Sequence, residues 1–265
     1  MDSLFTALIL GIVEGLTEFL PVSSTGHLIL AGHLLGFTGE KAATFEVVIQ
    51  LGAILAVVVL YFDRFTGLLR RDPARAFSGL RGLWLLFLTS LPASVAGLLL
   101  HGAIKEHLFG PQTVAWALAA GALAIFAVEA RPRRGRVASL DQMTPALALG
   151  IGMFQCLALW PGFSRSAATI MGGMLLGARR DVAAEYSFIA AVPIMVAATG
   201  YDLLKNHGLF TLADLPFMAV GFVVSFLSAW AAVRLFIGLV GRMTLRPFAA
   251  YRLVLAALVL ALLAG

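Results

Sequence analysis

Glu14 and Glu18 stand four residues apart and are the only charged residues between Asp2 and Glu40. On a helix that spacing puts both carboxylates on one face, where like charges repel. The pair therefore asks for something cationic: a hard divalent metal with oxygen ligands, a basic side chain, or a proton held by one carboxylate. Simple hydration of both groups is the plain alternative. A few residues on, Pro21-Val22-Ser23-Ser24-Thr25-Gly26-His27 gathers three hydroxyls and an imidazole immediately before an apolar run starting at Leu28. A helix that starts there offers free backbone amides and the positive end of its dipole, which suit an anion such as phosphate. A serine becomes a nucleophile when a neighbouring base takes its proton, and His27 or a carboxylate of the pair could be that base. Otherwise Ser23 is an N-cap and His27 a helix-to-helix hydrogen bond.

A second polar cluster, Pro161-Gly162-Phe163-Ser164-Arg165-Ser166 followed by Thr169, holds the only charged residue between Asp141 and Arg179. Its guanidinium is a bidentate fork set among hydroxyls at another helix start, an arrangement suited to phosphate oxygens. A structural ion pair from Arg165 to Glu14 or Glu18 is the alternative. Glu46, Gln50 and Glu185 are weaker candidates for a site entrance or a helix interface. Asp202, His33, His101, His107 and His207 carry no assigned role. No phosphate loop of the Walker type and no dinucleotide fingerprint is present.

These groups must be positioned by elements made for lipid. The 265 residues are 60% apolar and 12% charged, with 19 Lys and Arg against 14 Asp and Glu. Mean hydropathy is +0.95, and so little charge cannot cover a soluble domain, which averages roughly 25% charged residues. The net charge of +5 is explained by membrane orientation rather than by nucleic acid. Cys156 is the only cysteine, which excludes an internal disulfide and a cysteine-built metal site. The start Met1-Asp2-Ser3 lacks the basic region of a removable signal peptide.

Six stretches reach the ~20 apolar residues needed to cross a bilayer: roughly 44–62, 83–101, 113–130, 183–203, 214–238 and 248–264. Two further apolar regions, 3–36 and 144–177, are broken by the two polar clusters, so each half is too short to span. They read as re-entrant helix-loop-helix hairpins whose tips lie within the membrane. Arg64, Arg70, Arg71, Arg75, Arg81, Arg131, Arg133, Arg134, Arg136, Arg179, Arg180, Arg242 and Arg246 fall on one side, and Lys41, Lys105 and Lys205 on the other. That asymmetry predicts cytoplasmic arginine loops and both termini outside. Sliding the sequence by 140 positions lays Pro21 on Pro161 and Ser24 on Ser164. The expected fold is thus an all-α integral membrane protein, a single domain over 1–265, with inverted-topology repeats at about 1–130 and 144–265. Its glycines allow close helix packing.

The run from Glu14 to His27, and Pro161 to Ser166 with Thr169, resemble the two signatures of the bacitracin-resistance type of undecaprenyl-diphosphate phosphatase. The resemblance covers the whole chain, with no departure at the motif positions. It implies hydrolysis of the C55 isoprenyl diphosphate to the monophosphate, recycling the lipid carrier of peptidoglycan synthesis in the bacterial inner membrane. A site facing the periplasm and a divalent cation, Mg2+ or Ca2+, are implied as well. By position, Glu14 and Glu18 become the essential acidic pair and metal ligands. Ser24 becomes the nucleophile, His27 its assistant and Arg165 the diphosphate-binding group, while Ser23, Thr25, Ser164, Ser166 and Thr169 line the phosphate pocket. Expected partners are the isoprenyl diphosphate and membrane lipids, with a homodimer allowed and no nucleic acid. The competing reading is a lipid-phosphate transporter or flippase, since inverted repeats with broken helices are common in transporters.

Overall fold

The computed structural model describes residues 3–70, 72–108, 110–130, 135–206 and 211–264. Arg71, Arg131, Arg133, Arg134 and His207 lie outside the described residues, as do the side chains of His101 and Lys105. Among the described residues the chain is helices and turns, with no strand beyond a single bridge between Val137 and Ala178.

Ser3 caps the first helix, its hydroxyl accepting from the Phe5 amide at 3.1 Å, and α1 runs Leu4–Thr17. Fourteen residues reach only about 21 Å at the α-helical rise, short of the ~30 Å hydrocarbon layer. Pro21 disfavours helix at the residue before it, and the chain turns before re-entering helix as α2 (Ser24–Leu34). Then follow α3 (Glu40–Leu60), α4 (Phe62–Leu69), α5 (Gly79–His107) and α6 (Pro111–Glu129). The second broken helix starts at Thr144, whose hydroxyl caps α7 (Pro145–Gln155). A 3-10 turn at Cys156–Leu159 extends it to the tip, beyond which lies α8 (Arg165–Leu175). The chain closes with α9 (Arg180–Asn206), α10 (Leu215–Val240) and α11 (Arg246–Ala264).

Five of the described helices, α3, α5, α6, α9 and α10, are long and apolar enough to cross a membrane. The sixth predicted span is α11, 19 residues long. The chain is therefore an all-α membrane protein carrying two helical hairpins. The short α4 was not foreseen; Asp63 and Arg64 interrupt its apolar residues.

Each hairpin packs on a long helix from the other half of the chain: α1 against α10, and α7 against α5. Glycines permit the approach. A Cβ at Gly15 would lie 2.5 Å from the Ser225 carbonyl oxygen on α10, and one at Gly152 would lie 2.5 Å from the Thr89 carbonyl oxygen on α5. Gly11 meets Gly221 in the same way. Because these are backbone contacts, a side chain cannot be accommodated by a rotamer change. Gly15→Val is expected to destabilise the protein by about 2–3 kcal/mol, read as a lower thermal midpoint in detergent. An unchanged midpoint would show that α1 can move away from α10.

Both tips end in the main apolar core. Phe19 and Phe163 are buried there with Ala53, Val57, Phe188 and Phe236, and Phe19 meets Phe188 edge-on at 5.4 Å. The polar groups beside them are consequently held deep in the molecule.

Candidate active site

Only two non-glycine residues among those described have positive φ, Ser23 (73°) and Ser164 (77°). Each is the N-cap after a tip: the Gly26 amide donates to Ser23 Oγ at 3.4 Å, and the Ala167 amide donates to Ser164 Oγ at 3.2 Å. Such backbone costs of order 1–3 kcal/mol and persists where the surroundings enforce it, commonly at functional sites. The two tips are therefore built alike, but their register differs by one from the sequence offset. The N-cap counterpart of Ser164 is Ser23, because the second tip carries one more residue after its proline. Ser24 and Arg165 thus occupy equivalent first positions of α2 and α8.

Between them sits Glu18, 8% exposed, just past the end of α1. Ser24 Oγ donates to its Oε2 at 2.5 Å, and Arg165 Nη2 donates to its Oε1 at 3.2 Å. One carboxylate thereby links the hydroxyl of the first tip to the guanidinium of the second. Arg165 also donates through Nη1 to the Ser187 carbonyl at 3.2 Å, lies over the Phe19 ring at 5.7 Å, and keeps an Nε without partner. Of the readings open in the sequence, the ion pair to Glu18 is present. Two of the five Arg165 N–H donors are used by Glu18 and Ser187, and the residue lines a cavity of about 150 Å³.

Glu18, Ser23, Ser24, Thr25, Ser164 and Arg165 line that cavity, with Gln50 of α3 and Met195 of α9. Glu14 is 1% exposed and neither of its oxygens has a hydrogen-bond partner. His27 is engaged through both ring nitrogens, Nδ1 with the Ser23 carbonyl and Nε2 with the Tyr251 hydroxyl, each at 2.7 Å. It stacks on the Tyr251 ring at 5.5 Å, and no ring nitrogen is left over to serve Ser24.

Ser166 and Thr169 do not line the cavity. The Ser166 hydroxyl donates to the Leu20 carbonyl at 2.8 Å, tying one tip to the other, and Thr169 donates to the Arg165 carbonyl at 2.9 Å while pairing with the Ser187 hydroxyl. Their spacing on α8, one and four residues past Arg165, turns them into the helix packing. Glu185 pairs with Arg64 at 3.6 Å instead of joining the tips. His33 and His107 are exposed.

Sequence reasoning passed over Tyr251 and Arg252, which sit on α11 within an otherwise apolar run. Arg252 is 0% exposed and donates to main-chain carbonyls of both tips. The signal available was an arginine inside a predicted span, a costly placement that marks functional groups.

Two hydroxyl-bearing helix starts, a carboxylate and a guanidinium thus meet around one cavity inside a membrane protein. The chain matches the family model described as bacitracin resistance protein BacA over residues 7–258. It belongs to that family. Among its curated relatives, the protein named undecaprenyl-diphosphatase from Maridesulfovibrio salexigens is 75% identical over 260 residues, covering 98% of each chain. The protein of that name from Nitratidesulfovibrio vulgaris strain DP4 is 76% identical over 259 residues, and the one from Lawsonia intracellularis 57% over 261, each covering 98% of both chains.

Proposed function

We propose that this chain hydrolyses undecaprenyl diphosphate to undecaprenyl phosphate and inorganic phosphate, returning the lipid carrier to cell-wall polymer synthesis. The observation that carries the chemistry is the linked set Ser24, Glu18 and Arg165. Phosphoryl transfer depends mainly on positioning and on neutralising charge. Arg165, through guanidinium N–H groups not taken by Glu18 and Ser187, binds the terminal phosphate together with the amides at the starts of α2 and α8. Ser24 Oγ attacks the terminal phosphorus, its proton passing to Glu18 Oε2, while the bond from phosphorus to the bridging oxygen breaks and the prenyl phosphate leaves with that electron pair. Glu18 yields the serine proton to the departing prenyl phosphate; water then attacks the phosphoserine, Glu18 accepting the water's proton and returning it to Ser24 Oγ as the serine–phosphorus bond breaks and inorganic phosphate departs. His27, held by Ser23 and Tyr251, shapes the first tip and takes no proton from Ser24. Ser23, Thr25 and Ser164 border the phosphate, while Ser166 and Thr169 hold α8 in place.

A divalent cation fits the donor set. Glu14, one helical turn before Glu18, keeps both carboxylate oxygens buried without a hydrogen-bond partner. Among the described residues no group of three His, Cys, Asp and Glu side chains is arranged to hold a metal, so the protein offers the two carboxylates of Glu14 and Glu18. That matches the usual mode of Mg2+, which is held by one or two carboxylates plus substrate phosphates and water. When bound, the cation would supply positive charge against the diphosphate.

For the membrane placement we propose the bacterial inner membrane, with the first tip entering from the periplasm. The arginine-bearing connections gather at one end: the Arg180 guanidinium and the Leu245 amide both bond the Glu129 carboxylate, Arg246 bonds the Glu129 carbonyl, and the Arg179 amide bonds the Val137 carbonyl. Lys41 pairs with Asp214 at the starts of α3 and α10. This asymmetry supports the orientation, since cytoplasmic loops carry the excess of basic residues.

The test is inorganic phosphate release from undecaprenyl diphosphate by the purified protein in detergent, with and without a chelator. Release is expected to fall about 100-fold or more on metal removal and to return on adding Mg2+ or Ca2+. No release under any condition, with lipid-phosphate flux in vesicles, would favour the transporter reading instead.

A further inference from the structure

The guanidinium of Arg252 is buried where both tips end, yet every partner it has among the described residues is a main-chain carbonyl. Nη1 donates to Pro21 O at 3.2 Å on the first tip, and Nη2 donates to Gly162 O at 3.1 Å and Phe163 O at 2.8 Å on the second. Nε reaches Leu118 O at 3.2 Å, and Nη2 also reaches Ala117 O at 3.3 Å, both on α6. No carboxylate pairs with it among the described residues.

We propose that Arg252 is the positioning residue that sets the two tips in register, so that Ser24 of one and Arg165 of the other address the same phosphoryl group. Non-helical backbone at membrane depth needs internal donors for its carbonyls. The planar fork of an arginine can serve several at fixed angles, which a lysine cannot. Pro21 lies three residues before Ser24, and Phe163 two before Arg165, so the clamp acts on the segments that aim both groups. The site is also prepared for this side chain. A Cβ at Gly121 of α6 would overlap Arg252 Nη2 and come within 2.8 Å of its Cζ, and a Cβ at Gly162 would lie 2.5 Å from Val114 O. Gly121 is thus the space that admits the guanidinium. Tyr251, the preceding residue, holds His27 of α2, so α11 grips the first tip by two adjacent side chains.

The experiment compares Arg252→Met, Arg252→Lys and Gly121→Ala with the parent protein, using farnesyl diphosphate in detergent. Values of kcat and KM are measured on the monodisperse fraction, with the thermal midpoint of each. Mis-aiming Arg165 against Ser24 weakens both binding and attack, so KM rises and kcat falls together. The expected loss in kcat/KM is about 100-fold for Arg252→Met, a cost typical of displacing reacting groups by about 1 Å. Gly121→Ala keeps the charge and displaces the fork, and about a tenfold loss is expected by the same argument. Arg252→Lys is expected to lie between them. The proposal is overturned if KM stays at the parent value while kcat falls only in step with the folded fraction, the signature of a merely structural role. It is also overturned if folded Gly121→Ala and Arg252→Lys keep kcat/KM within about threefold of the parent, a change too small for displaced groups. Should Arg252→Met fail to fold, those two variants decide by the same criteria.

Discussion

Glu18→Gln is expected to lower phosphate release from undecaprenyl diphosphate by about a thousandfold or more, the range lost when a positioned base is removed. Among the described residues Glu18 is the one side chain that hydrogen-bonds both the Ser24 hydroxyl and the Arg165 guanidinium, at 2.5 and 3.2 Å. The amide has nearly the same shape, so Gly11, Gly15 and the α1 backbone keep their packing. What it lacks is the second carboxylate oxygen: its NH2 group cannot take the Ser24 proton and turns a donor toward either a hydroxyl or a guanidinium. The loss should therefore appear in kcat, measured at saturating substrate on protein whose chromatographic profile matches the parent. Activity within tenfold of the parent would show that Ser24 is served by another base. Glu14 would then be the one to examine, since both its oxygens lack partners.

The second large effect is at Arg165. Arg165→Ala is expected to reduce kcat/KM by about a thousandfold, as for loss of a charge stabiliser in a water-poor site. It should also destabilise the protein by about 3–5 kcal/mol, because it leaves the Glu18 carboxylate buried without its cation. The two consequences separate in the double variant Glu18→Gln with Arg165→Ala. Without a stranded charge it should melt above Arg165→Ala while staying inactive. A double variant melting below both single ones would mean that the ion pair is not what stabilises the junction. Recovery of activity by Arg165→Lys should be partial at most, because an ammonium cannot bridge Glu18, the Ser187 carbonyl and a phosphate as a planar fork does.

Much of this protein was legible in its residues. Low charge and long apolar runs dictated a membrane protein, because a bilayer is the only solvent in which such a chain can bury its surface. Prolines 21 and 161 interrupting apolar runs dictated broken helices, and the isolated charges Glu14, Glu18 and Arg165 stood out as candidates because charges are costly at that depth; the structure pairs Glu18 with Arg165 and leaves the Glu14 oxygens without a hydrogen-bond partner. Tertiary structure decided the rest, because it depends on contacts between segments far apart in the chain. It chose Glu18 over Glu14 as the partner of Ser24, occupied both nitrogens of His27, and turned Ser166 and Thr169 into packing. It laid each hairpin on a long helix of the opposite half, a choice made by backbone contact at Gly15 and Gly152. Arg252 shows why such things escape the sequence: its acceptors are peptide carbonyls of residues 21, 117, 118, 162 and 163. Every residue type carries that carbonyl, so no pattern of side chains can announce it.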